Sequence, residues 1–432
     1  MNNEKDNKLE SKIIDKLKNE IKNDLFKIKK DYEKKIVDPL NIYYLNDHLS
    51  ELKLKTDKEI DINELFSIEY LFFFRIVLIY EKSMRVIILQ IFKNCIKINP
   101  IFTNKIIDAM IPIIICKIFE NENDSSFEDR YECLKLFLTW LELSNSNFPI
   151  IFPQAVASLC KTNDPFKIGC IEFLRIMSIT RPDLCSTVGG FKILIHSLIE
   201  ENISQDLIDK IIYTLIYIVN NPNKRRNFNG LRYFNILFSV FTKSEFSSHE
   251  TNNIETPTEQ KKTEIKEENR KLEMRLDSAI NIIKKLLITW PGYFLLMKDT
   301  LSILPKALNN DVNDIIKKAI LKLFKDILEY GYNIVDNFSM LLSEDKDSLY
   351  INKIYLAHII QGLYNINLNE NLYKFIENSE NNELREFAIK LTIKFNILFT
   401  KLSNYDIYSP FFKTNTKQKI WIEDIKYKKY FK

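Results

Sequence analysis

The chain has 432 residues, 46% of them hydrophobic, but only 7 Gly and 12 Pro. That is enough apolar material for a large core or an elongated array, and too few turn formers for an all-β protein of this length, so global disorder and sheet are both excluded. With 62 basic and 58 acidic residues the net charge is +4, and nothing in that balance demands a polyanionic partner.

The opening MNNEKDNKLESK is polar and charged, and does not read as a secretory signal. Leu9, Ile13, Leu17, Ile21, Leu25, Ile28 and Tyr32 nevertheless recur every three or four positions, which predicts one narrow apolar stripe on a charged helix. Residues 1–58 are therefore expected to lie outside the main array, as a terminal cap or a coiled-coil segment, and to be dispensable for its folding. Helices follow at 63–80, 83–97, 101–120, 128–145, 150–160 and 165–180. Apolar runs at Tyr70–Tyr80 and Ile106–Phe119 contain Arg75, Asp108 and Pro112. Both fall short of the roughly 20 residues needed to span a bilayer, and they read as buried helices.

Residues 127–228 carry three helical hairpins in succession, FEDRYECLKLFLTWLELSNSNFP, DPFKIGCIEFLRIMSITRP and SQDLIDKIIYTLIYIVNNP. With the upstream SMRVIILQIFKNCIKINP, the helical runs stop at Pro100, Pro149, Pro182 and Pro222, an irregular period of about 40 residues that suits armadillo and HEAT repeats. One pair of such helices cannot bury its own apolar face, so neighbouring pairs must stack. The expected fold is all-α, an armadillo/HEAT-like superhelical solenoid of stacked helix pairs over residues 59–405.

Between a short helix at 183–187 and KILIHSLIEE, the pair Gly189-Gly190 breaks the chain. Without a following GK[ST] it reads as a structural turn, with a positive φ expected at Gly190. The loop NNPNKRRNFNG sets Lys224, Arg225 and Arg226 in a row, a solvated loop or a contact for an acidic partner. Helices are expected at 205–220 and 230–242. Residues 244–262 read as a flexible insertion, and a charged helix then runs from about 263 to Trp290-Pro291, a corner that the indole is expected to plug. Further helices are expected at 300–308, 312–329, 333–343, 349–366, 369–378 and 382–402. The basic, aromatic tail 406–432, with Trp421, reads as a docked end or as a segment that touches an acidic membrane surface.

Reactive groups do not converge. His48, His196, His249 and His358 lie far apart, and no metal, phosphate-loop, nucleophile-elbow or kinase motif occurs. No cofactor is expected, and neither enzymatic activity nor nucleic-acid binding has support. The 6 Cys (Cys95, Cys116, Cys133, Cys160, Cys170 and Cys185) form no C-x-x-C pair and read as reduced core thiols of a cytosolic protein.

Several stretches resemble the N-terminal armadillo region of the Rictor (Pianissimo) family, a subunit of target-of-rapamycin complex 2. They are RYECLKLFLTWLELSNSNFP, EFLRIMSITRPDLCSTVGGFKILIHSLIE with Pro182 and Gly189-Gly190, IIYTLIYIVNNPNKRRNF, AINIIKKLLITWPGYFLL and LSILPKALNNDVNDIIKKAILKLFKDIL. Members of that family are typically much longer than this chain. The resemblance implies a non-catalytic scaffold whose partners are a TOR-type kinase and other complex subunits, acting in growth, polarity and cytoskeletal signalling in the cytoplasm and at the periphery of the plasma membrane. The alternative is a general armadillo-type adaptor of transport or small-GTPase regulation. Importin-like adaptors of that kind line their groove with regularly spaced Trp and Asn, whereas this chain has 3 Trp in all.

Overall fold

The computed structural model describes residues 2–55, 60–143, 147–162, 164–200, 203–228, 234, 237–242, 259–287, 292–293, 296, 301–336 and 358–403. All regular structure among these residues is helical. The chain forms two compact units, Met1–Ile193 and Leu194–Lys432, each a stack of helices of the armadillo-like kind.

The first unit opens with α1 (Asn2–Glu33) and α2 (Pro39–Lys55). After the single turn α3 (Ile62–Leu65) come α4 (Ile68–Tyr80) and α5 (Arg85–Ile98). Next are α6 (Phe102–Asp108), α7 (Ile111–Glu120) and α8 (Phe127–Leu143), then α9 (Ile151–Leu159) and α10 (Lys167–Thr180). The pairs α1/α2, α4/α5, α7/α8 and α9/α10 stack in two rows, with α1, α4, α7 and α9 in one and α2, α5, α8 and α10 in the other. Every buried helix face thus meets both its hairpin partner and the equivalent helix of the next pair, which is how short helices of ordinary propensity become stable.

Aromatic side chains carry the core from pair to pair. Phe66 lies 5.4 Å from Phe102 and 6.3 Å from Phe74, and Phe74 meets Phe92 edge-on at 5.9 Å. Farther along, Phe137 of α8 stacks on Phe152 of α9 at 4.2 Å and also meets Phe119 of α7 and Phe173 of α10. All six cysteines are free and buried among these helices. Burial is the chief cause that pushes the thiol pKa values of Cys95 and Cys133 well up and that of Cys116 to about 12, with Asp129 adding to it at Cys133 and Glu120 at Cys116, so these groups pack as small hydrophobes.

Two expected helices are each divided. The 63–80 helix breaks at Phe66 and Ser67, both extended, because the Phe66 ring turns wholly inward. Lys105 Nζ then donates to the carbonyls of Asn63 and Phe66 at 3.1 and 3.0 Å, which replaces lost helix bonds. The 101–120 helix breaks at Met110, whose φ is 57°. Pro112 sits in the first turn of α7, where its missing N–H costs nothing, but it could not continue a helix from α6.

Of the segment 1–58, the described residues 2–55 do not lie outside the array as expected. Leu17, Ile21, Leu25 and Ile28 of α1 are buried, as are Ile42, Leu45, Leu49 and Leu52 of α2, and together they form the first pair of the stack. Asn94 of α5 donates to Asn46 and Ser50 of α2 at 2.9 and 3.0 Å, while Tyr32 of α1 meets Phe73 of α4 at 5.2 Å. The narrow stripe of α1 suffices because α2 supplies a second one beside it.

The pairs are also stapled by buried arginines. Arg85, at the start of α5, donates from Nε to Leu78 O at the end of α4 (2.9 Å), and from its other nitrogens to Asp124 O and Oδ2 in the loop before α8 (2.8 and 3.0 Å). Arg130, in the first turn of α8, repeats the device one pair on. Its Nε donates to Phe119 O at the end of α7 (2.8 Å) and Nη2 to Asp164 Oδ2 before α10 (2.6 Å). Its guanidinium also lies 4.7 Å from the centre of the Phe166 ring. Each arginine satisfies an orphan carbonyl of its own pair and holds the entry loop of the next.

After the short helices α11 (Pro182–Thr187) and α12 (Gly190–Ser197) come α13 (Gln205–Asn220) and α14 (Pro222–Arg225) of the second unit. It continues with α15 (Glu259–Leu287), α16 (Ile303–Ala307), α17 (Asp314–Asp336), α18 (Leu368–Asn378) and α19 (Asn382–Ser403), and residues 358–365 are also helical. Here α13, α15, α17 and α19 pack in sequence as one row, and α16 packs on α18 in the other. Ion pairs cross the long row at Lys284–Asp326 (2.7 Å), Lys322–Asp277 (3.0 Å) and Lys394–Glu329 (3.1 Å). Two expectations shift. α15 begins at Glu259, inside the stretch read as an insertion, and α17 runs unbroken through Gly331, where a break was expected before 333. A mid-helix glycine costs only about 1 kcal/mol relative to alanine, and the packing of the helix overrides it.

Two outcomes follow from this packing. Arg130→Ala leaves Asp164, whose side chain is 6% exposed, as a buried carboxylate without its counter-charge, and is expected to lower unfolding free energy by about 3–5 kcal/mol in urea titration. Arg85→Ala should cost less, because Asp124 is 43% exposed and can turn to water. A chain lacking residues 1–55 uncovers the faces of α4 and α5. It should bind an apolar fluorescent dye and melt earlier, at about 1.5–3 kcal/mol for each large side chain exposed; parent-like melting without dye binding would contradict the pairing.

Candidate functional site

Among the described residues no group of three or more His, Cys, Asp or Glu is placed to hold a metal ion, and no helix is long and apolar enough to cross a membrane. His48 bridges α1 and α2, with Nδ1 3.1 Å from Asp24 and Nε2 3.7 Å from Glu20. His196 pairs with Glu200 one turn on, at 2.9 Å. His358 is half-buried, and desolvation lowers its pKa to about 4, which keeps the imidazole neutral. These three histidines sit in separate structural settings, and His249 lies outside the described residues; what the described residues offer chemically is helix surface.

The sequence-predicted turn is built around α11 (Pro182–Thr187) and α12 (Gly190–Ser197). Pro182 occupies the first turn of α11 and closes α10 behind it. Gly189, not Gly190, has the positive φ, at 74°. It follows the C-cap residue Val188 and donates from N to Ser186 O at 3.1 Å, a left-handed helix stop. Gly190 is needed for a different reason: a Cβ there would lie 2.6 Å from Cys185 Sγ, 3.1 Å from Cys185 O and 3.4 Å from Leu174 Cδ2. The two glycines thus serve a turn and a close approach respectively. Trp290 and Pro291 lie outside the described residues, as do 406–432.

The row of basic residues is divided by its local fold. Asn221 caps α14 by accepting from the amides of Asn223 and Lys224 at 3.1 and 3.3 Å. Lys224 Nζ then lies 5.0 Å from the Tyr217 ring centre, and Arg225 Nη1 donates back to Val219 O at 3.3 Å. Arg226 is left exposed beyond them. On α13 itself, Tyr213 and Tyr217 are exposed one turn apart, and Lys285 of α15 covers Tyr213 at 4.9 Å. The three basic side chains point to different tasks, and only Arg226 is fully presented to solvent.

Sequence reasoning missed Arg85 and Arg130. The signal was present in SMRVIIL and FEDRYECL, where an arginine immediately precedes or interrupts an apolar run in the first turn of the second helix of two neighbouring pairs. Arg385 in NELREFAI repeats it in the second unit, with Nη2 bonded to Ser379 O at the end of α18. Trp140 is fully buried and meets Phe152 edge-on at 5.2 Å, so it belongs to the core and not to a groove-lining ladder.

The glycine geometry makes separable expectations. Gly190→Ala should cost about 1–3 kcal/mol as an overpacked site, and Cys185→Ala in the same chain should restore part of that loss by removing Sγ while the carbonyl contact remains. Gly189→Ala meets open space but a left-handed backbone, and should cost about 1–2 kcal/mol with no rescue by Cys185→Ala. Urea titration of the single and paired variants distinguishes the two causes.

Compared with known proteins, the chain matches the family described as "Rapamycin-insensitive companion of mTOR, N-term" over residues 74–396. It is 25% identical over 221 residues to target of rapamycin complex 2 subunit ste20 of Schizosaccharomyces pombe (strain 972 / ATCC 24843), an alignment covering 48% of this chain and 16% of that protein. Among solved structures, a designed armadillo repeat protein in complex with the peptide (KR)4 aligns with a TM-score of 0.26 at 12% identity, over 73% of this chain and 100% of that one. An engineered protein aligns with a TM-score of 0.25 at 13% identity, over 82% and 96% of the two chains. The family match spans well over half of the 432 residues and includes the arginine staple at Arg85 and Arg130, the glycine turn and the row α13, α15, α17 and α19: this chain belongs to the Rictor N-terminal family.

Proposed function

We propose that this protein is a non-catalytic subunit of a target-of-rapamycin complex 2 type kinase assembly, and that it holds its partners on the surfaces of its stacked helices. The observation that carries this reading is the family match over residues 74–396. The name of the Schizosaccharomyces pombe relative supports the choice of assembly, although the alignment spans 16% of that protein. Stacked helix pairs offer long, rigid surfaces, and their cores are filled by aromatic and aliphatic side chains that leave no enclosed reactive centre among the described residues. Partners in this reading are a TOR-type kinase and the other subunits, the setting is the cytoplasm and the periphery of the plasma membrane, and the pathway is growth, polarity and cytoskeletal signalling. Arg226, with Lys224 and the exposed Tyr217 beside it, is the proposed contact for an acidic segment of one partner.

Affinity purification of a tagged full chain from its own cells, followed by mass spectrometry, tests the assembly. Recovery of a large TOR-type kinase with its partner subunits is the expected result, and their consistent absence with the chain folded and the tag accessible would overturn it. Arg226→Glu should weaken that recovery several-fold while leaving the melting temperature unchanged, as for a charge at an interface rim.

A further inference from the structure

Lysines and acids alternate along α1, but the fold draws three of the acids in toward α2 and leaves most of the lysines exposed. Asp24 is buried and Glu20 and Asp31 are half-buried, held against α2 by His48 and by Asn41 Nδ2, which donates to Asp31 at 3.3 Å. Lys12, Lys16, Lys22, Lys27, Lys30 and Lys34 remain exposed. Between residues 12 and 34 the exposed acids are Asp15 and Glu33. Lys16 and Lys27 lean toward Glu20 and Asp24 at 3.6 and 3.9 Å, yet their side chains stay 76% and 59% exposed. At 1.5 Å per residue, the basic face runs for about 33 Å. Phe26, 64% exposed, stands on the same face between Lys22 and Lys30.

We infer that this face of α1 is a docking surface for an anionic lipid bilayer. Its cations are all lysines, six against the exposed Asp15 and Glu33, compact ammonium groups that respond to a diffuse negative potential, without the planar fork by which arginine recognises single carboxylates or phosphates in two places. The helix surface is convex, offering no groove to seat a peptide, and Phe26 and Leu9, both exposed but about 25 Å apart along the helix, do not form the continuous apolar seam that a partner helix would need. One exposed aromatic ring among lysines does suit the headgroup boundary, where the ring enters and the charges stay at the surface. The inference does not depend on membership of a kinase assembly. A chain that fails to recover the kinase can still bind vesicles, and the reverse.

The test is co-sedimentation of the full chain with vesicles of phosphatidylcholine alone or with about one third phosphatidylserine, at about 0.1 M and 0.5 M salt. The expected result is binding to the anionic vesicles only, weakened by salt as screening requires. Lys22→Gln/Lys27→Gln/Lys30→Gln/Lys34→Gln should lower affinity by about fivefold for each lysine removed. Phe26→Ala should weaken binding at both salt concentrations while preserving their ratio. Lys117→Gln/Lys192→Gln, exposed lysines elsewhere in the same unit, should change nothing. Unchanged far-UV dichroism and melting in each variant exclude unfolding as the cause. Equal binding to neutral and anionic vesicles, or parent-like binding by the fourfold variant, would overturn the proposal. So would tighter binding to polyglutamate or duplex DNA than to vesicles at equal anionic charge, since the face would then serve another polyanion.

Discussion

A guanidinium buried at the seam between successive helix pairs is the interaction on which the first unit depends. A helix pair of this size has apolar faces on both sides and slides easily against its neighbour if apolar contact is all that joins them. Arg85 and Arg130 remove that freedom, because each must reach a carbonyl at the end of one helix and an aspartate in the loop before the next pair. An arginine at 2% exposure would be costly if either partner were missing. The same requirement therefore specifies the register of the stack: only one offset satisfies every nitrogen.

The rest of the unit follows from that register. With the pairs set, Phe119, Phe137, Phe152 and Phe173 come into ring contact across three helix layers, and Lys93 of α5 meets the buried Glu132 of α8 at 2.8 Å. The two lysines at Glu132 hold its carboxyl below the usual carboxylate range even though burial opposes them. Core and polar contacts thus specify one arrangement between them, and the outward faces are left to vary. That division suits a family whose helical array presents surface while its interior stays filled.

Surface character is a product of this folding and not of composition. A chain of net charge +4 shows no strong bias as a sequence, yet α1 draws Glu20, Asp24 and Asp31 in toward α2 and leaves six lysines exposed between residues 12 and 34. The loop at Lys224 to Arg226 shows the opposite sorting. Three consecutive cations suggest a patch, but Lys224 settles on Tyr217 and Arg225 returns to the helix end, because an aromatic face and an orphan carbonyl lie within reach.

Periodicity by itself determined that the chain is helical, that its helices come in pairs and that the pairs stack, since apolar residues at three- and four-residue spacing with proline stops admit little else. It located the glycine turn and showed that no catalytic motif was present. Particular stretches of sequence, among them the one with Pro182 and Gly189-Gly190, carried the family resemblance that the match over 74–396 bears out. Tertiary structure alone decided where helices break within apolar runs, as at Phe66 and Met110, because inward rotation of one ring or a proline two residues on outweighs local propensity. It decided that residues 1–55 are the first pair of the array, because the value of a narrow stripe depends on what lies opposite. It assigned the positive φ to Gly189 and the close approach to Gly190, and it placed Arg85 and Arg130 inside. Contacts between residues 34–39 positions apart leave no mark on the period of a single helix; they exist only once the next pair is in place.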